Sequence, residues 1–92
     1  MKSDITVICL QETKLKPQKE FLYIREWNKG PAFFNSIAGG KSGTAVLFNT
    51  WQVTIKKFVS DQIGRIIAID FDIGGTVLHL INTYFPNKSR KY

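Results

Sequence analysis

Residues 4–13 read DITVICLQET, and this stretch decides the fold that the rest of the chain can adopt. From Ile5 to Gln11 the residues are almost all β-branched or apolar, and none is charged. Such a run is typical of a strand buried on both faces, in the centre of a sheet. Glu12 follows directly, so we expect its carboxylate at the rim of the core, where α/β proteins place functional groups. The alternative is that Glu12 is simply the first solvated residue after the strand.

Three segments that follow this strand in the chain are predicted to be further strands. Residues 32–36 form a short candidate strand, and residues 44–48 form a second nearly continuous apolar strand. Residues 53–59 alternate in polarity, with Val53, Ile55 and Lys57 on one face and Thr54, Lys56 and Phe58 on the other, which favours an edge strand.

The clearest local signal is a hairpin near the end of the chain. Gly74-Gly75 separates two apolar segments, residues 65–73 and 76–84. A two-residue link of glycines predicts a tight turn, because both positions can take positive φ. This turn fixes the register, so Asp70 should lie opposite His79 and Arg65 opposite Tyr84.

One helix is predicted over about residues 17–27. Pro17 suits the first turn of a helix, and Phe21, Ile24 and Trp27 form an apolar stripe. We expect Gly30 to supply a left-handed cap after the helix.

The 92 residues make one small basic domain, or part of a larger one, and carry a net charge of +6. This charge favours an anionic partner, above all nucleic acid, although a basic protein without such a partner is the alternative. Cys9 is the sole cysteine, and its apolar surroundings predict a small buried side chain. The sequence shows no signal peptide and no membrane-spanning run, so we expect an intracellular protein, nuclear or cytoplasmic, with no membrane partner.

Few residue groups in the chain suggest chemistry. Gly40-Lys41-Ser42 lacks the first glycine of a phosphate-binding P-loop and precedes a strand, so we reject that motif. His79 is predicted to form a structural cross-strand pair with Asp70. The remaining set consists of Glu12, Asn82, Tyr84 and Asn87, whose oxygen and amide groups suit a Mg²⁺–phosphate site.

Four stretches of this sequence, in order, resemble motifs of the exonuclease–endonuclease–phosphatase superfamily. Residues 4–13 are similar to its DIICLQET strand, and residues 41–48 to its GVAIL strand. Gly64-Arg65 resembles its GR strand start, and residues 80–87 (LINTYFPN) resemble its NVYAPN strand. The likeness is closest to the endonuclease domains of non-LTR retrotransposons, which are related to apurinic/apyrimidinic endonucleases. Phosphatases share the superfamily, so a phosphatase-type phosphoesterase is an alternative.

The resemblance implies a four-layer α/β sandwich that hydrolyses phosphodiester bonds of DNA with Mg²⁺ or Mn²⁺. On the matching positions, Glu12 would be the catalytic glutamate that binds the metal. Tyr84 would be the catalytic tyrosine that contacts the phosphate. Four further residues would contact the nucleic acid, namely Lys14, Asn82, Asn87 and Lys88.

The chain also departs from the family pattern. It lacks the family's first strand with a site asparagine, and the later GDFN-type and Asp-His motifs. His79 does not match the final histidine motif. We therefore expect residues 1–92 to be an incomplete α/β (α+β) domain, mostly one mixed β-sheet with one or two helices, inactive as this chain. The alternatives are a non-catalytic basic nucleic-acid-binding module and a truncated remnant.

A chain without its second sheet should leave one sheet face open. We expect Ile67, Ile69 and Leu80 to be covered less than a true core, and available to the missing remainder of the domain or to self-association.

Overall fold

The computed structural model describes residues 5–85, which form a small α+β fold of two antiparallel sheets and one short helix. The first sheet has the strand order β1-β3-β2 and the second has the order β4-β5-β6. A 3-10 turn, Pro17–Lys19, leads directly into the helix. The elements are β1 Val7–Gln11, α1 Glu20–Trp27, β2 Ala32–Asn35, β3 Thr44–Phe48, β4 Thr54–Ser60, β5 Ile66–Ile73 and β6 Thr76–Thr83.

The expectation of mostly one mixed sheet is wrong. β1 and β2 pair with opposite edges of β3, while β4 and β6 pair with opposite edges of β5, and all four pairings are antiparallel. Because both edges of β3 and of β5 are paired in this way, the strands form two separate sheets. β3, buried at every position, is the central strand of the first sheet. β1 is therefore an edge strand, which is why Cys9 is exposed and not buried as predicted.

The core lies between the two sheets. Val46 and Phe48 of β3 pack against Ile67, Ile69 and Phe71 of β5. The rings of Phe48 and Phe71 meet edge to face at 5.0 Å. Burial of each such side chain contributes about 1.5–3 kcal/mol to folding.

This packing overturns the prediction that the hairpin's core face would be open. Ile67 and Ile69 are both 0% exposed, and Leu80 is partly buried against the same cluster, because the first sheet covers them. The open face of the second sheet is the opposite one. Val59, Ala68 and Ile81 lie in one row across it, and Ile81 is 70% exposed.

The predicted hairpin is confirmed, with Asp70 opposite His79 and Phe71 opposite Leu78. The edge position of β4 is also confirmed, but its predicted alternation is wrong. A bulge between Ile55 and Lys57 interrupts the register, so Ile55 and Phe58 both lie opposite buried residues of β5. Phe58 consequently stacks on the ring of Phe33 at 5.3 Å and joins the two sheets.

The helix has the predicted bounds but a different cap and a different contact face. Asn28, with φ 43°, is the left-handed cap in place of Gly30. Gly30 is buried, and a Cβ atom there would fall on the carbonyl oxygen of Phe48. The indole Nε1 of Trp27 donates to that same oxygen at 2.7 Å and ties α1 to the first sheet, while Phe21 is 59% exposed.

The described residues thus form three layers, helix, first sheet and second sheet. Within residues 5–85, no helix has the length and apolar character needed to cross a membrane.

Candidate functional site

The candidate site lies at one rim of the sandwich, where β1 and β6 end and β3 and β5 begin. Asn82 holds this rim together, because its Nδ2 donates to the carbonyl oxygens of Leu10 and Ala45, both at 3.0 Å. Gln11 reaches back across the sheets, and its Nε2 donates to Thr83 O at 2.7 Å and to Asn82 Oδ1 at 3.3 Å. The ends of β1 and β6 are therefore fixed next to each other.

Glu12 and Tyr84, the two residues expected to be catalytic, meet at this rim. The Tyr84 hydroxyl donates to Glu12 Oε2 at 2.7 Å, and the Glu12 side chain is exposed. This hydrogen bond to the carboxylate, with some desolvation, raises the pKa of Tyr84. The phenol therefore stays protonated at neutral pH and is a hydrogen-bond donor.

The backbone around Glu12 is held in an uncommon conformation. Glu12 and Lys14 both have φ of 54°, in the left-handed region that costs a non-glycine residue roughly 1 kcal/mol or more. Two backbone hydrogen bonds hold this segment against the loop that precedes β3. Thr13 N donates to Gly43 O at 3.1 Å, and Lys14 N donates to Ser42 O at 2.8 Å. Such strain, fixed by surrounding bonds, is concentrated at functional sites in proteins.

Arg65 also belongs to the site, although sequence reasoning gave it no role. Tyr84 N donates to Arg65 O at 2.8 Å, which extends the hairpin by one pair. The positive charge of Arg65 offsets part of the effect of Glu12 on the Tyr84 phenol, whose pKa is still raised overall. Arg65 Nε is buried without a hydrogen-bond partner. A buried donor of this kind is costly to leave unpaired. The hairpin register, which sets Arg65 opposite Tyr84, was the signal that could have identified it.

The loop before Arg65 is fixed by Asp61. Its Oδ1 accepts from Arg65 N at 3.1 Å, Ile66 N at 3.2 Å and Asn35 Nδ2 at 2.8 Å. Desolvation alone would raise the pKa of Asp61, but these hydrogen bonds together lower it. Asp61 is therefore an ionised structural group and a weak base.

Three exposed lysines surround the same rim, on the loops that follow β1 and precede β3. The predicted nucleic-acid contact Lys14 is one, and Lys16 and Lys41 are the others. The two loops touch at Gly40, where an added Cβ would lie 3.2 Å from Lys14 O and 3.3 Å from Lys16 Cγ. Positive charge is thus carried by the loop that follows Glu12 and by the loop that contacts it.

The structure places the other expected site residues differently. Asn82 is only 4% exposed and its amide is bonded within the protein, so it positions the rim, and its contact with nucleic acid stays a prediction. Asn87 and Lys88 lie outside the described residues. His79 and Asp70 form the predicted pair, at 2.7 Å, on the open face of the second sheet.

Glu12 is the carboxylate that the rim offers to a metal ion. Residues 5–85 contain no group of three or more His, Cys, Asp or Glu side chains that could hold one. Mg²⁺ is commonly bound by one or two carboxylates, with water and substrate phosphate oxygens completing its shell. The chemistry of Glu12 fits a cation held in that way.

A scan against protein-family models found no match to this chain, and a search of curated proteins found no significant relative.

Proposed function

We propose that the rim binds a DNA phosphodiester with Mg²⁺ or Mn²⁺ at Glu12, as part of an endonuclease domain of the exonuclease–endonuclease–phosphatase type. The hydrogen bond from Tyr84 to Glu12 carries this proposal. The family resemblance assigned these two residues to one site, and the fold brings them into contact from the ends of two different sheets. The helix–sheet–sheet order agrees with part of the proposed four-layer sandwich.

Each side chain of the rim has a role in holding the phosphate. Tyr84 is a neutral donor that can turn from the carboxylate to a phosphate oxygen. Arg65 supplies a half-buried guanidinium, a group that favours contacts with phosphate. Lys14, Lys16 and Lys41 add charge for the neighbouring backbone phosphates. A divalent cation, when bound, would neutralise the part of the phosphate charge that these groups do not.

We further propose that the chain alone binds DNA without cleaving it. Hydrolysis needs a base to activate water, and loss of a general base costs about 10²–10⁴ in rate. The single histidine, His79, is bound to Asp70 away from the rim. Asp61 accepts three hydrogen bonds with a lowered pKa, so it is poorly suited to take a proton.

Binding is tested by fluorescence anisotropy with a labelled DNA duplex, at several salt concentrations, with Mg²⁺ or with a chelator. Binding should weaken steeply as salt rises. Glu12→Gln should strengthen binding in chelator, because a negative charge is lost, and should abolish the gain from Mg²⁺. Arg65→Gln should weaken binding, whereas Lys56→Gln, a matched charge removal on β4, should change it much less. An affinity that changes neither with Mg²⁺ nor in Arg65→Gln would contradict the proposal.

Cleavage is tested by nicking of supercoiled plasmid with Mg²⁺ or Mn²⁺. We expect no nicking by the purified chain. Nicking that both Glu12→Gln and Tyr84→Phe abolish would overturn the statement that the chain is inactive, and would support the site itself.

The lysine cluster at Gly40 favours a second candidate, a non-catalytic basic nucleic-acid-binding module. That function predicts binding that Lys14→Gln and Lys41→Gln weaken, with no response to Mg²⁺. A truncated remnant would bind no DNA under any of these conditions, and a phosphatase-type enzyme would instead release phosphate from small phosphoesters.

A further inference from the structure

A cavity of about 480 Å³ lies between α1 and the outer face of the first sheet. Its apolar lining includes Leu10, Leu15 and Leu47, together with Tyr23 and Trp27 of α1. Small-molecule sites in proteins have volumes of roughly 300–1,000 Å³ and mostly apolar walls. The cavity is therefore of the size and character that a small ligand needs.

The aromatic wall of this cavity is fixed before any ligand enters. Trp27 Nε1 donates to Phe48 O at 2.7 Å, so the indole cannot turn away without losing a hydrogen bond to the central strand. Lys29 Nζ lies 5.2 Å from the centre of the same ring system. The Lys29 ammonium therefore already lies over the indole, through the attraction of a cation to an electron-rich ring face.

One carboxylate stands at the edge of this apolar space. Glu26 lines the cavity, is exposed to solvent, and makes no ion pair within residues 5–85. An apolar body fits against the leucines, an aromatic ring fits against Tyr23 and Trp27, and a cationic group can reach Glu26.

We propose that the cavity beneath α1 is a binding site for a small aromatic cation, with its ring against Trp27 and its ammonium group at Glu26. The site is distinct from the phosphate-binding side chains of the rim and does not rest on the function proposed for them. Its wall nevertheless includes Gln11 and Thr13, on either side of Glu12. A ligand in the cavity therefore contacts the segment that holds Glu12 in its left-handed conformation.

Calorimetric titration with 1-naphthylmethylammonium and with neutral 1-naphthylmethanol, which share one shape, tests the proposal. The cation should bind more tightly than the alcohol. Glu26→Gln should weaken binding of the cation about fivefold, as expected for the loss of an exposed ion pair. It should leave binding of the alcohol unchanged. Glu20→Gln, on the same helix but outside the cavity, is the matched control and should change neither.

Leu10→Trp fills the cavity from the exposed edge strand and should abolish binding of both probes. If that variant does not fold, amide shifts in the wild-type chain decide instead. They should change at Leu15, Tyr23, Trp27 and the segment from Gln11 to Thr13. Non-saturating binding, shifts confined to other regions, or an unchanged preference for the cation in Glu26→Gln would overturn the proposal.

Discussion

The Tyr84 hydroxyl donates a hydrogen bond to Glu12 Oε2 at 2.7 Å, although 72 residues separate the two in sequence. Glu12 follows a strand of the first sheet and Tyr84 follows a strand of the second. The bond therefore exists only when the two sheets are packed together. The candidate site therefore forms only together with the core between the two sheets.

The first prediction concerns the ionisation of Tyr84. Glu12→Gln should lower the pKa of Tyr84 towards the ordinary tyrosine value of about 10, because the carboxylate is what raises it. Ultraviolet titration of tyrosinate measures this, and Tyr84→Phe identifies the signal by removing it. An unchanged Tyr84 titration in Glu12→Gln would contradict the hydrogen bond.

The same bond makes stability depend on pH in a defined direction. A tyrosine with a raised pKa in the folded state adds stability fully below its unfolded pKa, and this contribution is lost as the pH rises through the folded value. As the pH rises above about 10, the unfolding free energy should therefore fall more steeply for the wild type than for Glu12→Gln.

The elements that the sequence predicted well are those with local causes. Gly74-Gly75 sets the hairpin register through the conformational freedom of two adjacent residues, φ 62° and 88°. Pro17 marks the start of the helical segment, and β3 is apolar enough to be recognised alone.

The errors arose where the outcome depends on pairing between distant segments. β1 is as apolar as β3, and nothing in its sequence tells which of the two gains partners on both edges. The bulge at Lys56 likewise depends on how β4 docks on β5, and it moved Phe58 to the core side.

The candidate site shows the same division. Glu12 and Tyr84 stood out because their motifs are local strings of sequence. The hairpin register predicts that Arg65 lies opposite Tyr84, but only the packing of the two sheets brings that pair to Glu12.

The second prediction separates the covered face of the second sheet from the open one. Ile69→Ala should destabilise the chain by about 2–5 kcal/mol, because it leaves a cavity in the core. Ile81→Ala makes the same change at a 70% exposed position and should cost within about 0.5 kcal/mol. Urea unfolding measures both, and equal losses would mean that the open face is buried.

The third prediction tests the close approach at Gly30. Gly30→Ala places a methyl group against the backbone of Phe48 and Thr50, and should destabilise the chain by about 1–3 kcal/mol or more through overpacking. Gly39→Ala is the control, because its Cβ would meet open space and only its φ of 93° is unfavourable. A smaller loss at Gly30 than at Gly39, in thermal melts, would show that the chain is not packed as described there.

The fourth prediction concerns Asn82, which joins the ends of three strands. Asn82→Ala removes both donor bonds and leaves the Leu10 and Ala45 carbonyl oxygens without that partner, at a cost of about 1–3 kcal/mol. Gln52→Ala, a truncation at an exposed position outside the rim, should change stability by less than about 0.5 kcal/mol.

Loss of the Asn82 amide should also change the contact between Glu12 and Tyr84. The amide fixes the distance between the end of β1 and the end of β6, and these two ends carry Glu12 and Tyr84. In a folded Asn82→Ala chain, the Tyr84 pKa should therefore shift down towards its ordinary value, as in Glu12→Gln, because the carboxylate is no longer held against the phenol. Tyrosinate titration under conditions where both variants remain folded measures this. A destabilised chain whose Tyr84 titrates as in the wild type would show that Asn82 supports the core without positioning the site.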